Sequence, residues 1–430
     1  MPQALGLETF TAPGAAWVPQ EWLFSLLAYF SAHSGWPIVG GLCALSAVGS
    51  LTIVAYTAVR RGAHPYATAF GVAMAGNALV QSFGVRAQIL AWPLLSAYLL
   101  LLQSDGRIAY LAIAVAAVWS NVHASVMLAP VLAGVVCAGN CVDRGWDARA
   151  RRSAVIAGFS ALATCANPLG WKIPVYAYVL FSSPFTTLIR EWNHTSLGDV
   201  SFALGALPLM LCVLAFGVNG PQRWRDRLLL AVFAWLMFSA ARNIALFALA
   251  VAPLAAGALT TGVPYLRDRL GLVERGRARG LKFLEAGTAV VLATIVSVAY
   301  VQSARSDPAP AGAPFAALAA IGTLPGEHNV LCANFAWCSF LLAAPHDRVF
   351  LDGRADPYPA GVWADFAAIV RVHPAWERTL RERNVDLVLV ERKEPLEQAL
   401  SLAPAWRSVY VDSDFRLWLR MPRPARVAFR

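Results

Sequence analysis

The sequence predicts a polytopic α-helical membrane protein of about ten transmembrane helices, followed by a C-terminal extracytosolic α/β domain. Three observations carry that expectation. Of the 430 residues, 58% are hydrophobic and only 14% are charged, more apolar surface than a soluble domain can hide. Apolar segments recur from residue 37 to residue 302, separated by loops alternately rich and poor in arginine. Beyond residue 314 the pattern changes to short strand-like runs alternating with helical stretches.

Residues 1–36 read as an extracytosolic N-terminal segment, in which Glu21–His33 forms a short interfacial helix with Trp22 at headgroup depth. Residues 1–20 contain no Lys, Arg or apolar run, so they are not a signal peptide. The transmembrane domain covers residues 37–302, with apolar segments at 37–58, 66–83, 87–102, 108–121, 124–139, 153–167, 202–218, 228–241, 244–260 and 282–302. Several are shorter than the ~20 residues a straight crossing needs, so broken or cavity-lining helices are expected. The stretch 108–139 reads as two helices meeting near Asn121–His123 rather than as one long helix with a polar interruption.

Arg60–Arg61, Arg107, the group Arg144–Arg152, the group Arg223–Arg227 and the run Arg267–Lys282 occupy alternate loops. Placing them inside puts both termini outside. A translocated N-terminal tail without a signal predicts a further helix upstream. Residues 168–200 form a long outer loop, whose Trp171, Tyr176, Tyr178, Phe181 and Phe185 suit a helix lying on the membrane, ended at Ser183–Pro184. Residues 303–314 are an Ala/Pro linker to the domain at 315–430. Strands are expected there at 328–332, 348–351, 386–390, 407–411 and 415–420, with a hairpin at Asp412–Asp414. Helices are expected at 315–323, 335–344, 359–370, 374–383 and 394–402.

The net charge of +10 sits in short loops, as membrane topology requires, and argues against nucleic acid as a partner. Seven cysteines show no metal-ligand spacing; Cys332 and Cys338 lie in the polar region, where buried free thiols are favoured over a disulfide. No P-loop, GxSxG, HExxH or CxxC motif is present, which leaves ATPase, serine hydrolase and zinc-protease readings without support.

Nearly every unusual polar residue falls at the outer end of the apolar segments. Each ionisable group at membrane depth costs roughly 2.5–3.5 kcal/mol, so such a set marks a site. Arg86 with Gln88, and Arg242 with Asn243, offer guanidinium forks for a phosphate; the plainer alternative is snorkelling to lipid headgroups. Glu21 and Glu191 have the chemistry of a general base or a metal ligand, against the alternative of helix-terminal charges. A divalent metal is compatible with them, although no cofactor is dictated. Arg190, Glu191 and Trp192 put a cation, an acid and a stacking ring together, as sugar binding requires. His123 and Asn121, at a helical apex, can bond a substrate hydroxyl or simply tie two helices. Lys172 adds a phosphate contact beside the Asn167–Gly170 helix stop, and Arg354 follows a strand in an Asp-Gly turn that also suits an internal ion pair.

The motifs TAPGAAWVPQEWL (11–23), RAQILAWPLL (86–95), WSNVHAS (119–125), NPLGW (167–171), SSPFTTLIREW (182–192), ARNIALFALAVAPL (241–254) and DGRADPY (352–358) resemble those of uncharacterised bacterial membrane proteins near the C-type glycosyltransferases. That group includes the protein mannosyltransferase and aminoarabinose transferase relatives. The resemblance implies a bacterial inner-membrane enzyme that moves a sugar from a polyprenyl-phosphate donor to an extracytosolic acceptor. It implies an outer-face cavity in which Arg86 and Arg242 hold the leaving phosphate and Glu21 or Glu191 serves as base or metal ligand. It also implies an acidic motif after a first transmembrane helix, and this chain begins beyond that point. Rival readings are a transporter or flippase, and a cell-envelope assembly protein, including a truncated transferase without activity. A flippase would show mid-helix charges and inverted repeats, which the sequence lacks.

Overall fold

The computed structural model describes residues 9–15, 19–34, 37–181, 189–217, 223–262, 314–343, 347–354 and 357–421. The expected segment 282–302, the run Arg267–Lys282, most of the linker and the Ser183–Phe185 stop lie outside the described residues. The chain divides into two units. One contains residues 20–181 and 189–262; the other joins residues 9–15 to residues 314–421.

The helical unit comprises α1 (Trp22–Ser34), α2 (Pro37–Arg60), α3 (Pro65–Val80), α4 (Ala87–Leu102), α5 (Leu111–Trp119), α6 (Leu128–Arg144), α7 (Ala148–Ala163), α8 (Lys172–Phe181), α9 (Leu207–Gly217), α10 (Trp224–Ser239) and α11 (Ile244–Gly262). Local chemistry sets their ends. Proline at the first position starts α3, where the His64 ring accepts from the amide of Tyr66. The Asp147 carboxylate accepts from the amides of Arg149 and Ala150 at the start of α7. Both oxygens of Asp143 accept from the amide of Trp224, supplying the anion that the N-terminus of α10 favours. Among the described residues, three spans, Ile38–Arg60, Ala124–Arg144 and Ala241–Thr261, are long and apolar enough to cross a membrane. Several further apolar helices are shorter. The chain is a multi-pass membrane protein. The stretch 108–139 is two helices, broken by the turn Ser120–His123 and a 3-10 turn at Ala124–Met127.

Trp92, Tyr98, Trp119, Phe233 and Phe247 fill the interior of this unit. Between helices surrounded by lipid, attraction comes from close packing and satisfied polar groups. The Tyr98 hydroxyl donates to the carbonyl of Ala129 at 2.9 Å and lies 2.8 Å from Ser160 Oγ, joining α4, α6 and α7. Small residues allow the tightest approaches. A Cβ on Gly139 of α6 would stand 2.3 Å from the backbone of Arg225 in α10.

In the second unit five strands, β1 (Asn329–Cys332), β2 (Arg348–Val349), β3 (Leu387–Glu391), β4 (Trp406–Val411) and β5 (Phe415–Arg420), form a sheet in the order β2-β1-β3-β5-β4. The first three are parallel, and β3, β5 and β4 are antiparallel, with β4 and β5 making the expected hairpin. Helix α12 (Phe315–Ile321) precedes β1, α13 (Ala360–Val370) and α14 (Trp376–Glu382) connect β2 to β3, and α15 (Pro395–Leu402) connects β3 to β4.

Two expectations are corrected here. The N-terminal segment 1–36 is not one piece: Thr9 forms a parallel bridge to Val349 on the free side of β2, while Glu21 belongs to the helical unit. The Thr9 hydroxyl donates to the carbonyl of Val349 at 3.0 Å, and the rings of Phe10 and Phe350 meet edge to face. Residues 9–11 are too short and polar to read as a strand alone; the bonds come from a partner far along the chain. Cys332 and Cys338 are joined in a disulfide instead of being free thiols. The 3-10 turn Trp337–Ala343 folds back over β1 and brings their Cα atoms to 5.7 Å, within bridging range.

The α6–α10 contact gives a direct expectation. Replacing Gly139 by Val destabilises the helical unit by roughly 1–3 kcal/mol through overpacking, read as a lower melting temperature in detergent. Gly134→Ala on the same helix meets nothing within 4 Å and leaves the melting temperature unchanged or slightly higher.

Candidate functional site

Three turns and two helix starts in the helical unit converge at one end of the helices. Arg86 is the extended residue immediately before α4, and Gln88 is the second residue of that helix. The turn between α10 and α11 is tight: Ala240 is extended, and Ala241–Asn243 make one 3-10 turn. Asn243 closes it by donating from Nδ2 to the carbonyl of Leu236 at 2.9 Å. Arg242 is thus held at the apex with 19% of its side chain exposed. The amide of Ala241 donates to the carbonyl of Asn193, which docks the segment carrying Glu191 and Trp192 onto this turn.

These anchors build one cluster. Arg86 Nη1 lies 2.6 Å from Glu191 Oε2, and Arg242 Nη1 lies 4.0 Å from Glu191 Oε1. Arg242 Nη2 donates to Gln88 Oε1 at 3.1 Å, and Gln88 Nε2 donates back to the Arg242 carbonyl at 3.4 Å. The Arg242 guanidinium stacks 4.4 Å from the centre of the Trp192 ring. One carboxylate therefore faces two guanidinia, with its short bond to Arg86 and a longer approach to Arg242.

Beside it, Glu21 precedes α1 and stands 3.3 Å from His123 Nε2. Loss of water pushes the Glu21 carboxyl from 4.5 up to about 7, against the pull of the Arg242 charge and a hydrogen bond from Gln20. Burial first, and the Arg242 charge second, push the His123 imidazole down to about 3. At neutral pH the pair is a neutral imidazole and a carboxyl near its midpoint, the condition suited to accepting a proton. Arg242 acts on both groups, so the two halves form one electrostatic unit.

Other candidates have different surroundings. Asn121 uses its amide fully: Nδ2 donates to the carbonyls of Ala117 and Ala166 at 2.8 Å, and Oδ1 accepts from Trp22 Nε1 at 3.1 Å. It ties α1, α5 and the end of α7 together. Asn243 is occupied as a helix stop. Lys172 opens α8 with its side chain exposed. The side chain of Arg190 lies outside the described residues. Arg354 is in the other unit, where it donates from Nε and Nη2 to the fully buried Asp352, which also accepts from Tyr358. That is the internal ion pair of the plainer sequence reading. Among the described residues no group of three or more His, Cys, Asp or Glu side chains is arranged for a metal ion. A small cavity lined by Ile53, Ser96, Gln103 and Pro253 lies among α2, α4 and α11, away from the cluster.

Sequence reasoning missed Gln20, Ser125 and Trp119. Trp119 Nε1 donates to Ser125 Oγ at 3.0 Å, and Ser125 in turn contacts the His123 ring. The signal lay in the string WSNVHAS, whose Ser stands two residues after the His.

No protein-family model and no curated protein matches the sequence. In structure, the chain is similar to the arabinofuranosyltransferase AftD from Mycobacteria, with a TM-score of 0.50 at 15% identity over 98% of this chain. The two share a fold over the aligned region. The alignment spans 39% of that larger protein. ArnT from Cupriavidus metallidurans, in the apo state, aligns at a TM-score of 0.48 and 15% identity, over 96% of this chain and 94% of that one.

The raised Glu21 carboxyl has a stability consequence. Between pH 4.5 and 7 the folded chain holds a proton at Glu21 that the unfolded chain releases, so stability falls as pH rises through that window. Glu21→Gln removes this contribution, and its melting temperature declines less steeply from pH 4.5 to 7 than that of the wild type.

Proposed function

We propose that the chain is an integral-membrane glycosyltransferase that moves a sugar from a polyprenyl-phosphate donor to an acceptor outside the cytoplasm. The observation carrying this reading is the pair of guanidinia, Arg86 and Arg242, gathered around the single carboxylate Glu191 and coupled to Glu21. A carboxylate between two guanidinia marks a place where a planar or tetrahedral oxyanion fits. A lipid phosphate entering there takes the place of Glu191 as counter-ion to the two guanidinia. Trp192 supplies a ring face for the sugar.

In the transfer step, the acceptor hydroxyl gives its proton to a Glu21 oxygen as its own oxygen bonds to the anomeric carbon. The bond from that carbon to the phosphate oxygen breaks, and the charge left on the polyprenyl phosphate is taken up by Arg86 and Arg242. The Cys332–Cys338 disulfide supports an extracytosolic place for the second unit, because such bonds persist in oxidising compartments. The arginine-rich loops support the matching inner orientation at the other helix ends.

Binding of a fluorescent polyprenyl monophosphate to the full chain in nanodiscs tests the phosphate site. Arg242→Ala weakens binding about tenfold or more, the worth of one lost charge-assisted bond, with helicity unchanged. Glu191→Gln strengthens it, since the competing charge is gone. Unchanged affinity in the first variant, or weaker affinity in the second, removes the proposed phosphate role.

A further inference from the structure

The hydrogen bonds around His123 settle which ring nitrogen carries the hydrogen. The backbone amide of Ser125 donates to His123 Nδ1 at 3.0 Å. An amide N–H can only donate, so Nδ1 is the bare nitrogen. Ser125 Oγ lies 2.7 Å from the same Nδ1, while Trp119 Nε1 donates to that Oγ at 3.0 Å. With the indole hydrogen on one Oγ lone pair, the Ser125 hydroxyl hydrogen is directed to Nδ1. Turning the ring over would leave the Ser125 amide facing carbon, and it would remove the cap of the Ala124–Met127 turn. Trp119 is fully buried, and the His123 side chain is 12% exposed, so the chain of bonds is shielded from exchange with water.

The neutral imidazole therefore carries its hydrogen on Nε2, which faces Glu21 Oε1 at 3.3 Å. We propose that Glu21 is the proton acceptor of the pair, and that His123 is a positioning residue held by Ser125 and Trp119 as an Nε2–H donor. This deepens the transferase reading and rests on it only for the source of the incoming proton. The acceptor O–H bond breaks, its proton moves to a Glu21 oxygen, and His123 keeps its own hydrogen throughout. The other groups bearing on the pair are the Arg242 charge, which acts on both members, and Gln20, which hydrogen-bonds to Glu21. Arg86 and Glu191 act through Arg242.

Two measurements on the full chain in nanodiscs test this without turnover. In ¹⁵N-histidine NMR at neutral pH, with the signal identified by its loss in His123→Gln, Nδ1 is expected unprotonated and Nε2 protonated. In an infrared pH titration, with the carboxyl band identified by its loss in Glu21→Gln, His123→Gln keeps the wild-type midpoint because its amide still donates. His123→Leu raises the midpoint by about one unit, the effect of one lost bond to a carboxylate. A protonated Nδ1, or a His123→Gln midpoint shifted as far as that of His123→Leu, overturns the proposal. Neither readout involves lipid phosphate, so failure of the phosphate site and failure of this assignment are distinguishable.

Discussion

A guanidinium held at the apex of a tight helical turn, largely out of water, is the constraint around which the helical unit is arranged. Removing an arginine from water costs several kcal/mol unless neighbours replace the solvent. Arg242 cannot snorkel away, because its turn is closed by Asn243 on one side and docked by Asn193 on the other. Each neighbour then has a physical reason. Gln88 is buried because it bonds the guanidinium and the carbonyl behind it, Trp192 offers its ring face, and Glu191 brings the opposite charge. The same charge reaches Glu21 and His123 and influences the protonation of both.

The two ends of the helices handle charge differently. At the arginine-rich end, Arg61 bonds Asp226 at 2.6 Å and Gln103 at 2.7 Å, and Arg149 and Arg152 share Asp105. Short bonds to acids on neighbouring helices and loops there leave a structural role sufficient. At the other end, Arg242 stands 4.0 Å from a carboxylate whose short bond goes to Arg86. Unequal sharing occurs at both ends, since Asp226 also serves Arg61 at 2.6 Å and Arg225 at 3.6 Å; what sets the second end apart is the 4.0 Å gap left at Arg242.

Much of this was legible in the residues. Apolar length, prolines and arginine-bearing loops marked the described helices, and alternation of loop charge located Arg86, Glu191 and Arg242 at the same end. Strand-like runs and the Asp412–Asp414 turn marked the sheet. Partner choice was not legible. Arg86 bonds a residue 105 positions away, and no spacing rule connects the two. The string from Arg190 to Trp192 suggested sugar binding, and nothing in it named Arg86 as the partner of Glu191. Asn121 read equally as a ligand residue or as a tie between helices, and no spacing rule named Trp22, Ala117 and Ala166 as the partners it bonds. The sequence favours free thiols over the disulfide because the five residues between the cysteines carry no bridging signature, and the fold-back of a 3-10 turn depends on tertiary packing.

The bridge from Thr9 to Val349 bears on how this protein coexists with other chains. β2 is only two residues long and sits at the rim of its sheet, where unpaired amides and carbonyls would template a foreign strand. The chain covers that rim with its own early residues, fastened by two threonine hydroxyls and a phenylalanine. Wherever misfolded neighbours offer loose strands, the rim is already taken by a segment that can never diffuse away.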